Sequence, residues 1–164
     1  MATTTSVPET YPLDAQLACA RDSVLTTLSS ACSTEGSYAG NDDETCPCDG
    51  VAGIISLVGD ISWSLMWTFP QQVATQLAVR FAGFDIEYES DDMTDVVGEL
   101  ANVLAGEALA RLDALGVKAT MGLPMVVRGT NLNLMLPDGT PRIHLRFSCD
   151  EGPFYLILGA RKQA

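Results

Sequence analysis

The sequence predicts an α+β fold in which long helices pack on one side of a largely antiparallel sheet. Over residues 13–32 and 90–116, apolar residues recur at steps of three and four, which is the spacing of a helix with one buried face. After residue 50 and again after residue 116, apolar and polar residues alternate over short runs that end in turn sequences, as antiparallel strands do. With 164 residues, of which 47% are hydrophobic, the chain can form one domain with a full core.

The first part of the chain contains one predicted helix between two polar segments. Residues 1–10 are rich in threonine and predict a flexible tail, so we expect a single domain over residues 11–164. Helical spacing over residues 13–32 predicts the first helix. Residues 33–49 form an acidic, turn-rich loop, STEGSYAGNDDETCPCD, which is either flexible or contains a short edge strand.

A β-hairpin and a second helix are predicted next. Residues 50–69 hold two alternating runs, and Gly59 and Asp60 between them are turn residues. Pro70 then suits the first position of a helix, QQVATQLAVRFAG. We expect this helix to end at Gly83, because glycine takes the left-handed conformation that terminates many helices.

The longest predicted helix covers residues 90–116. Ser90, Asp91 and Asp92 can cap its first turn and complement its dipole, and Gly116 can end it. The apolar residues that share one face, and that we expect to be buried, are Val96, Val97, Leu100, Val103, Leu104, Ala108, Leu112 and Leu115.

After Gly116 the chain returns to strand patterns. Turn sequences at residues 137–139 and 150–152, PDG and DEG, separate some of them. The predicted antiparallel strands are residues 117–121, 125–128, 132–136, 143–149 and 154–158.

Composition argues against several partners and compartments. The net charge of −12 disfavours nucleic acid and anionic membrane surfaces, and it favours a partner with a basic surface. The amino terminus lacks the basic start and apolar core of a signal peptide. The uncharged run over residues 61–79 carries Pro70, Gln71 and Gln72 at its centre, which makes it a poor membrane span. We therefore expect a cytoplasmic protein.

Most catalytic and metal-binding motifs are missing from the sequence. There is no glycine-rich phosphate loop, no HExxH and no nucleophile elbow. Five cysteines at irregular spacing do not predict a disulfide framework. Cys46 and Cys48 lack the second ligand pair of a zinc site, and we interpret them as free thiols in a loop. His144, alone in a strand pattern, is a weak candidate for a catalytic base.

One side of the long helix carries polar residues in a narrow line, which we call the polar stripe: Asp95, Glu99, Asn102 and Gly106. Gly98 and Gly106 interrupt the helix, and each costs about 1 kcal/mol relative to alanine. Either the two glycines clear space for the backbone of a partner, or they let another element of this chain pack tightly.

An acidic segment leads into the stripe. Between residues 85 and 99 there are seven acidic residues and no basic one. Such a segment is commonly a solvated face, and it also attracts a lysine-rich partner.

The sequence around the stripe resembles a known family. DVVGELANVLAG, followed by VKATMGLPMVVRG and preceded by GVAGIISLVGDISWSLMWTFPQQVATQLAVRFAG, is similar to the CheX branch of the CheC/CheX/FliY family of chemotaxis phosphatases over about residues 50–162. The family motif has an acidic or hydroxyl residue, a glutamate and an asparagine on one helix, and a proline downstream. Asp95, Glu99, Asn102 and Pro124 match it. Glu107 departs from it, since the family commonly has asparagine there.

The resemblance implies a CheC/CheX-like fold and a hydrolase of two-component signalling, which removes the phosphoryl group from the phosphoaspartate of a CheY-like response regulator. It implies that Glu99 pairs with the regulator's active-site lysine and that Asn102 positions the attacking water. Asp95, Gly98 and Gly106 are then docking residues. The resemblance implies no cofactor on this chain, because the regulator brings the Mg²⁺, and it implies a homodimer.

Two other interpretations remain open. A CheX-like domain without catalytic activity could bind a receiver domain or a flagellar-switch protein and act by occupancy. The polar stripe could also be an ordinary solvated helix face, in which case substituting Glu99 or Asn102 changes stability slightly and nothing else.

Overall fold

The computed structural model describes residues 11–42 and 48–161. The predicted tail, residues 1–10, lies outside the described residues. Within them the helices are α1 (Leu13–Ala31), α2 (Gln71–Ala82) and α3 (Asp91–Ala114). The strands are β1 (Gly36–Asp42), β2 (Cys48–Gly59), β3 (Ser62–Phe69), β4 (Ala119–Met121), β5 (Met125–Leu132), β6 (Arg142–Cys149) and β7 (Gly152–Arg161). Among the residues that the structure describes, no helix is both long enough and apolar enough to span a membrane.

All seven of these strands belong to one antiparallel sheet. Its order is β1-β6-β7-β3-β2-β4, and β5 also pairs with β2. The strands β4 and β5 therefore share one edge, where β4 pairs with residues 57–59 of β2 and β5 with residues 48–54. The predicted fold class is confirmed.

The main core lies between the sheet and the three helices. It includes a cluster of aromatic rings in which Trp67 and Phe69 have centroids 4.9 Å apart and Phe147 stacks on Phe154 at 5.5 Å. Helix α3 lies directly on β2 at Gly53, where an added Cβ would come within 3.1 Å of another side chain. The absence of a side chain at Gly53 lets the helix approach the sheet closely, and this fixes which side of α3 faces outward.

The opposite face of the sheet carries a smaller apolar cluster, and here one predicted strand is wrong. Strand β5 ends at Leu132, and residues 133–136 are not in a strand. This segment crosses the outer face instead. Leu134 packs against the smaller cluster, and Leu136 lies so close to Gly159 that a Cβ there would overlap it. The alternating leucines, Leu134 and Leu136, therefore cover one surface of the sheet and do not belong to a strand.

The first half of the chain follows the prediction closely. Helix α1, the β2–β3 hairpin and α2 are all present, with Pro70 as the residue before α2 and Gly83 in the left-handed conformation after it. Of the two alternatives for residues 33–49, the edge strand is found, because β1 pairs with β6 at the sheet edge. Residues 43–47 of that segment lie outside the described part.

Helix α3 begins and ends as its caps predict, but two residues of its predicted buried face are not buried. The Ser90 side chain accepts a hydrogen bond of 3.2 Å from the Met93 amide, and Gly116 has a positive φ of 79°. Val103 is only half-buried. Leu115 is 59% exposed, contrary to the prediction. It lies at the C-cap, beyond the last turn that packs on the sheet, so helical spacing no longer directs its side chain inward.

Candidate functional site

An open groove of about 420 Å³ runs between α3 and the strand edge formed by β5. The helix supplies most of its lining, and the residues before and within β5 supply the other wall. The lining residues are Thr94, Asp95, Gly98, Glu99, Asn102, Pro124 and Val126. The groove therefore brings together all the predicted site residues except Gly106, which lies farther along the helix, and it adds Pro124 from the family motif.

The side chains of the polar stripe are accessible. Asp95 and Glu99 are exposed, and Asn102 is half-buried, while the other side of α3 is held in the core by Val97 and Leu100. Within residues 11–42 and 48–161, no hydrogen bond or ion pair engages the side chain of Glu99 or of Asn102. The carboxylate and the carboxamide are thus free to meet a group from outside the chain, on a helix that holds them one turn apart.

The glycines of α3 are not required by the packing of the chain. An added Cβ at Gly98 would lie 3.6 Å from Val126 Cγ2, and one at Gly106 would lie 4.0 Å from Met121 Cε. Both are ordinary van der Waals distances. Close packing within the chain therefore does not explain why these two helical positions lack a side chain.

A β-bulge shapes the second wall of the groove. Met121 pairs with Leu57 and Met125 pairs with Ile54, so the three residues 122–124 face only two on β2. The Gly122 amide donates a hydrogen bond of 2.9 Å to the carbonyl oxygen of Ser56. Proline is tolerated in a bulge on an edge strand, where its missing N–H removes no ladder bond. The bulge thus presents Pro124 to the groove.

Arg128 joins the acidic segment to the second wall. Its guanidinium lies 5.6 Å from the centre of the Tyr88 ring, and it donates a hydrogen bond of 3.3 Å to the Tyr88 carbonyl oxygen. Burial raises the pKa of the Tyr88 hydroxyl, an effect that the charge of Arg128 opposes. The segment before α3 is therefore tied to β5, which keeps the two walls of the groove in register.

Sequence reasoning missed two lining residues and the extra residue of the edge strand. Thr94 stands one helical turn before Gly98, so a step of four back from that glycine would have found it. Val126 faces α3 from β5, and the alternation of that strand carries a signal for it. The bulge at residues 122–124 has only a weak signal, since glycine and proline mark a break without giving its register.

The other candidates lie elsewhere. His144 is 1% exposed on β6, which β7 and β3 separate from β2. Burial raises the pKa of the Cys32 and Cys149 thiols to about 11. Cys19, Cys32, Cys48 and Cys149 form no disulfide, whereas Cys46 falls outside the described residues. The prediction of a loop is wrong for Cys48, which is buried as the first residue of β2 because this strand begins before residue 50. In the part of the chain that the structure describes, no cluster of three or more His, Cys, Asp or Glu residues could hold a metal ion.

Comparison with known proteins supports the resemblance in the sequence. The family model described as chemotaxis phosphatase CheX matches residues 51–148. A protein named CheY-P phosphatase CheX, from Thermotoga maritima, is 30% identical over 83 residues. That match covers 49% of this chain and 53% of the relative, so the chain spans about half the length of the curated relative it matches.

Solved structures share the fold over nearly the whole chain. A CheC-like superfamily protein from Shewanella sp. PV-4 has a TM-score of 0.81 at 26% identity, covering 93% of this chain and all of that one. A chain of the CheX–CheY–BeF₃–Mg²⁺ complex from Borrelia burgdorferi has a TM-score of 0.77 at 18% identity, covering 90% of this chain and 98% of that one.

Proposed function

We propose an activity from one premise: this chain belongs to the CheX family of chemotaxis phosphatases. The activity is hydrolysis of the phosphoaspartate of a CheY-like response regulator. The observation that carries the proposal is that Glu99 and Asn102 line one open groove from the same rigid helix. A relative named CheY-P phosphatase and a structural neighbour in complex with CheY support a regulator of this class as the substrate.

Asn102 is the proposed positioning group for water. An acyl phosphate already has a good leaving group, and in this proposal the regulator brings the Mg²⁺ and the lysine that hold the phosphoryl oxygens. What remains is to place a water molecule in line with the phosphorus–oxygen bond to be broken. A carboxamide can accept a hydrogen bond from that water and donate another beside it, without adding a negative charge near the phosphoryl group.

Glu99 is the proposed docking group for the regulator's lysine. It precedes Asn102 by three residues, so both side chains point to the same side of α3. An ion pair between Glu99 and the lysine would fix how far the helix enters the regulator's pocket, and this would place Asn102 at the phosphoryl group. Asp95 extends the acidic surface at the start of the helix.

Gly98 and Gly106 are proposed to admit the backbone of the regulator. Alanine would fit at either position in the free chain, yet the helix carries glycine at both despite its cost of about 1 kcal/mol each. Close approach of a partner is a physical reason for the missing side chains.

The test is the decay of a phosphorylated receiver domain. CheY-type receiver domains are phosphorylated with acetyl phosphate and Mg²⁺, and release of phosphate is followed with and without this protein. We expect catalytic acceleration that Asn102→Ala lowers on the order of a hundredfold, because one orienting amide is lost. Glu99→Ala is expected to raise KM as well as lower the rate. Glu107→Ala is the control, since Glu107 is on the same helix but does not line the groove.

The same experiment separates the alternatives. Stoichiometric binding to the receiver domain without acceleration would identify a binding module that acts by occupancy. No binding and no acceleration with any receiver domain would contradict both the phosphatase and the binding module. The polar stripe would then be an ordinary solvated helix face.

We also propose that the protein acts in the cytoplasm as a homodimer. Strand β1 lies at a sheet edge, and an edge strand can pair with another chain. Sedimentation equilibrium tests the assembly, and a mass that stays monomeric at micromolar concentration would contradict it.

A further inference from the structure

An exposed leucine stands at the tip of the bulge that forms the second wall of the groove. Leu123 is 92% exposed, although it lies between Gly122, which is hydrogen-bonded to β2, and Pro124, which lines the groove. A single exposed leucine is common on protein surfaces. Here, however, the backbone around the residue is held in place, so the side chain is presented to solvent by an ordered structure.

The bulge determines which of the neighbours of Leu123 face α3. Paired residues of an antiparallel sheet point to the same face, so Met121 follows the buried Leu57 toward the helices and reaches α3 near Gly106. Met125 pairs with Ile54 and follows it to the opposite face. The extra residue thus turns Met125 away, and exposed Leu123 stands between Met121, which faces α3, and Pro124, which lines the groove.

The groove therefore has one acidic wall and one apolar lip. Asp91, Asp92, Asp95 and Glu99 are exposed along the first turns of α3. On the opposite wall, Met121 and Leu123, which we call the apolar lip, are exposed beside Pro124, which is half-buried and lines the groove. A partner that fits both walls must carry a positive charge beside an apolar patch.

We propose that Leu123, supported by Met121, is the apolar anchor that docks the response regulator. The inference rests on the proposed function, and it commits to one occupant: the surface of a receiver domain next to its lysine-bearing phosphorylation pocket. Continuity with the groove argues for this occupant, because Leu123 directly precedes Pro124, which lines the same groove as Glu99. Leu123 contributes to docking, and Asn102 contributes to the reaction.

The two contributions separate in kinetics. Loss of an anchor that is buried only in the complex weakens binding. The remaining contacts still hold the bound regulator in the same geometry. We therefore expect Leu123→Asn to raise the Kd for a beryllofluoride-activated receiver domain, and the KM for the phosphorylated one, by about tenfold. The kcat at saturating regulator is expected to stay within about twofold of wild type. Leu123→Met, which keeps the apolar volume, is expected to bind nearly as well as wild type.

Met135→Asn is the matched control. Met135 is 80% exposed in the segment that crosses the outer face of the sheet, so the same loss of apolar surface occurs away from the groove. Thermal unfolding of each variant checks that the fold is retained, which the exposure of both side chains leads us to expect. Equal affinity of wild type and Leu123→Asn would overturn the inference, as would an equal loss in Met135→Asn.

The outcomes also distinguish this inference from the proposed function. If wild type neither binds nor dephosphorylates the receiver domain, the proposed function is wrong, and the docking role of Leu123 is wrong with it. If wild type is active and Leu123→Asn is indistinguishable from it, only the anchor is wrong. If Leu123→Asn changes the sedimenting mass and not the affinity for the receiver domain, the apolar lip is a contact between copies of this chain, and the inference is overturned.

Discussion

Asn102 offers a carboxamide at a position where aspartate would have nearly the same shape. In the proposed mechanism the difference is charge, because a carboxylate beside the phosphoryl group repels it and offers no donor. We expect Asn102→Asp to be nearly as slow as Asn102→Ala in dephosphorylation of a receiver domain, while the thermal stability of the variant changes little at this half-buried site. Activity of Asn102→Asp close to wild type would show that the amide does not position the water.

The site residues on α3 could be predicted from the sequence because helix geometry is regular. A step of four and then three along α3 places Asp95, Glu99 and Asn102 on one side, and the structure puts all three in the groove. His144 shows the opposite case. A lone histidine in a strand pattern gives no sign of its depth, and its burial follows from what covers the outer face.

At the scale of the element, the interior glycines of α3 lower the stability of the helix and, in the proposed function, favour binding of the regulator. There is room for a Cβ at Gly98, so Gly98→Ala is expected to raise the free energy of unfolding by about 1 kcal/mol through helix propensity. The same methyl group would obstruct the proposed approach of the regulator, and we expect weaker binding. Urea unfolding and titration with a beryllofluoride-activated receiver domain measure the two effects. A variant that is more stable and binds equally well would remove the clearance role of Gly98.

Elements with local signals were predictable, and those that depend on distant packing were not. Ser90 and Gly116 mark the ends of α3 because capping is a local interaction. Residues 133–136 carry a strand pattern, yet they cover the sheet from outside, and only the assembled sheet supplies the surface that they cover. The bulge at residues 122–124 depends on the register against β2, which turn residues alone do not specify.

At the scale of the whole molecule, a cluster of titratable groups joins helices α1 and α2 to the sheet. Arg80 on α2 pairs with Glu151 in the β6–β7 turn and also donates to the Ser33 carbonyl oxygen after α1. Burial opposes the charge of Glu151, but hydrogen bonds, including those from Cys149 and Arg80, leave its pKa lowered. Cys32, at the C-cap of α1, is fully buried beside this cluster. Ionisation of a group in this cluster is therefore expected to change the stability of the packing between the helices and the sheet.

The two thiols predict a loss of stability at alkaline pH. Burial raises the pKa of Cys32 to about 11, with further contributions from the charges of Cys149 and Glu151. Burial likewise raises the pKa of Cys149 to about 11, assisted by its hydrogen bond with Glu151. Unfolded thiols ionise near pH 9, about the ordinary value, so the unfolded chain loses these protons first. The stabilisation is complete below that pH and is lost as the pH rises toward about 11.

Urea unfolding under reducing conditions between pH 8 and 10.5 measures this effect. We expect the free energy of unfolding of wild type to fall with pH across this range, and that of the Cys32→Ala, Cys149→Ala double variant to fall less. The comparison of slopes isolates the two thiols, because every other titratable group is present in both proteins. The double variant is also expected to start from a lower stability, since Cys32→Ala leaves a small cavity in the core. Parallel slopes would mean that these thiols ionise alike in the folded and unfolded chains, and that their burial does not couple the helices to the sheet through charge.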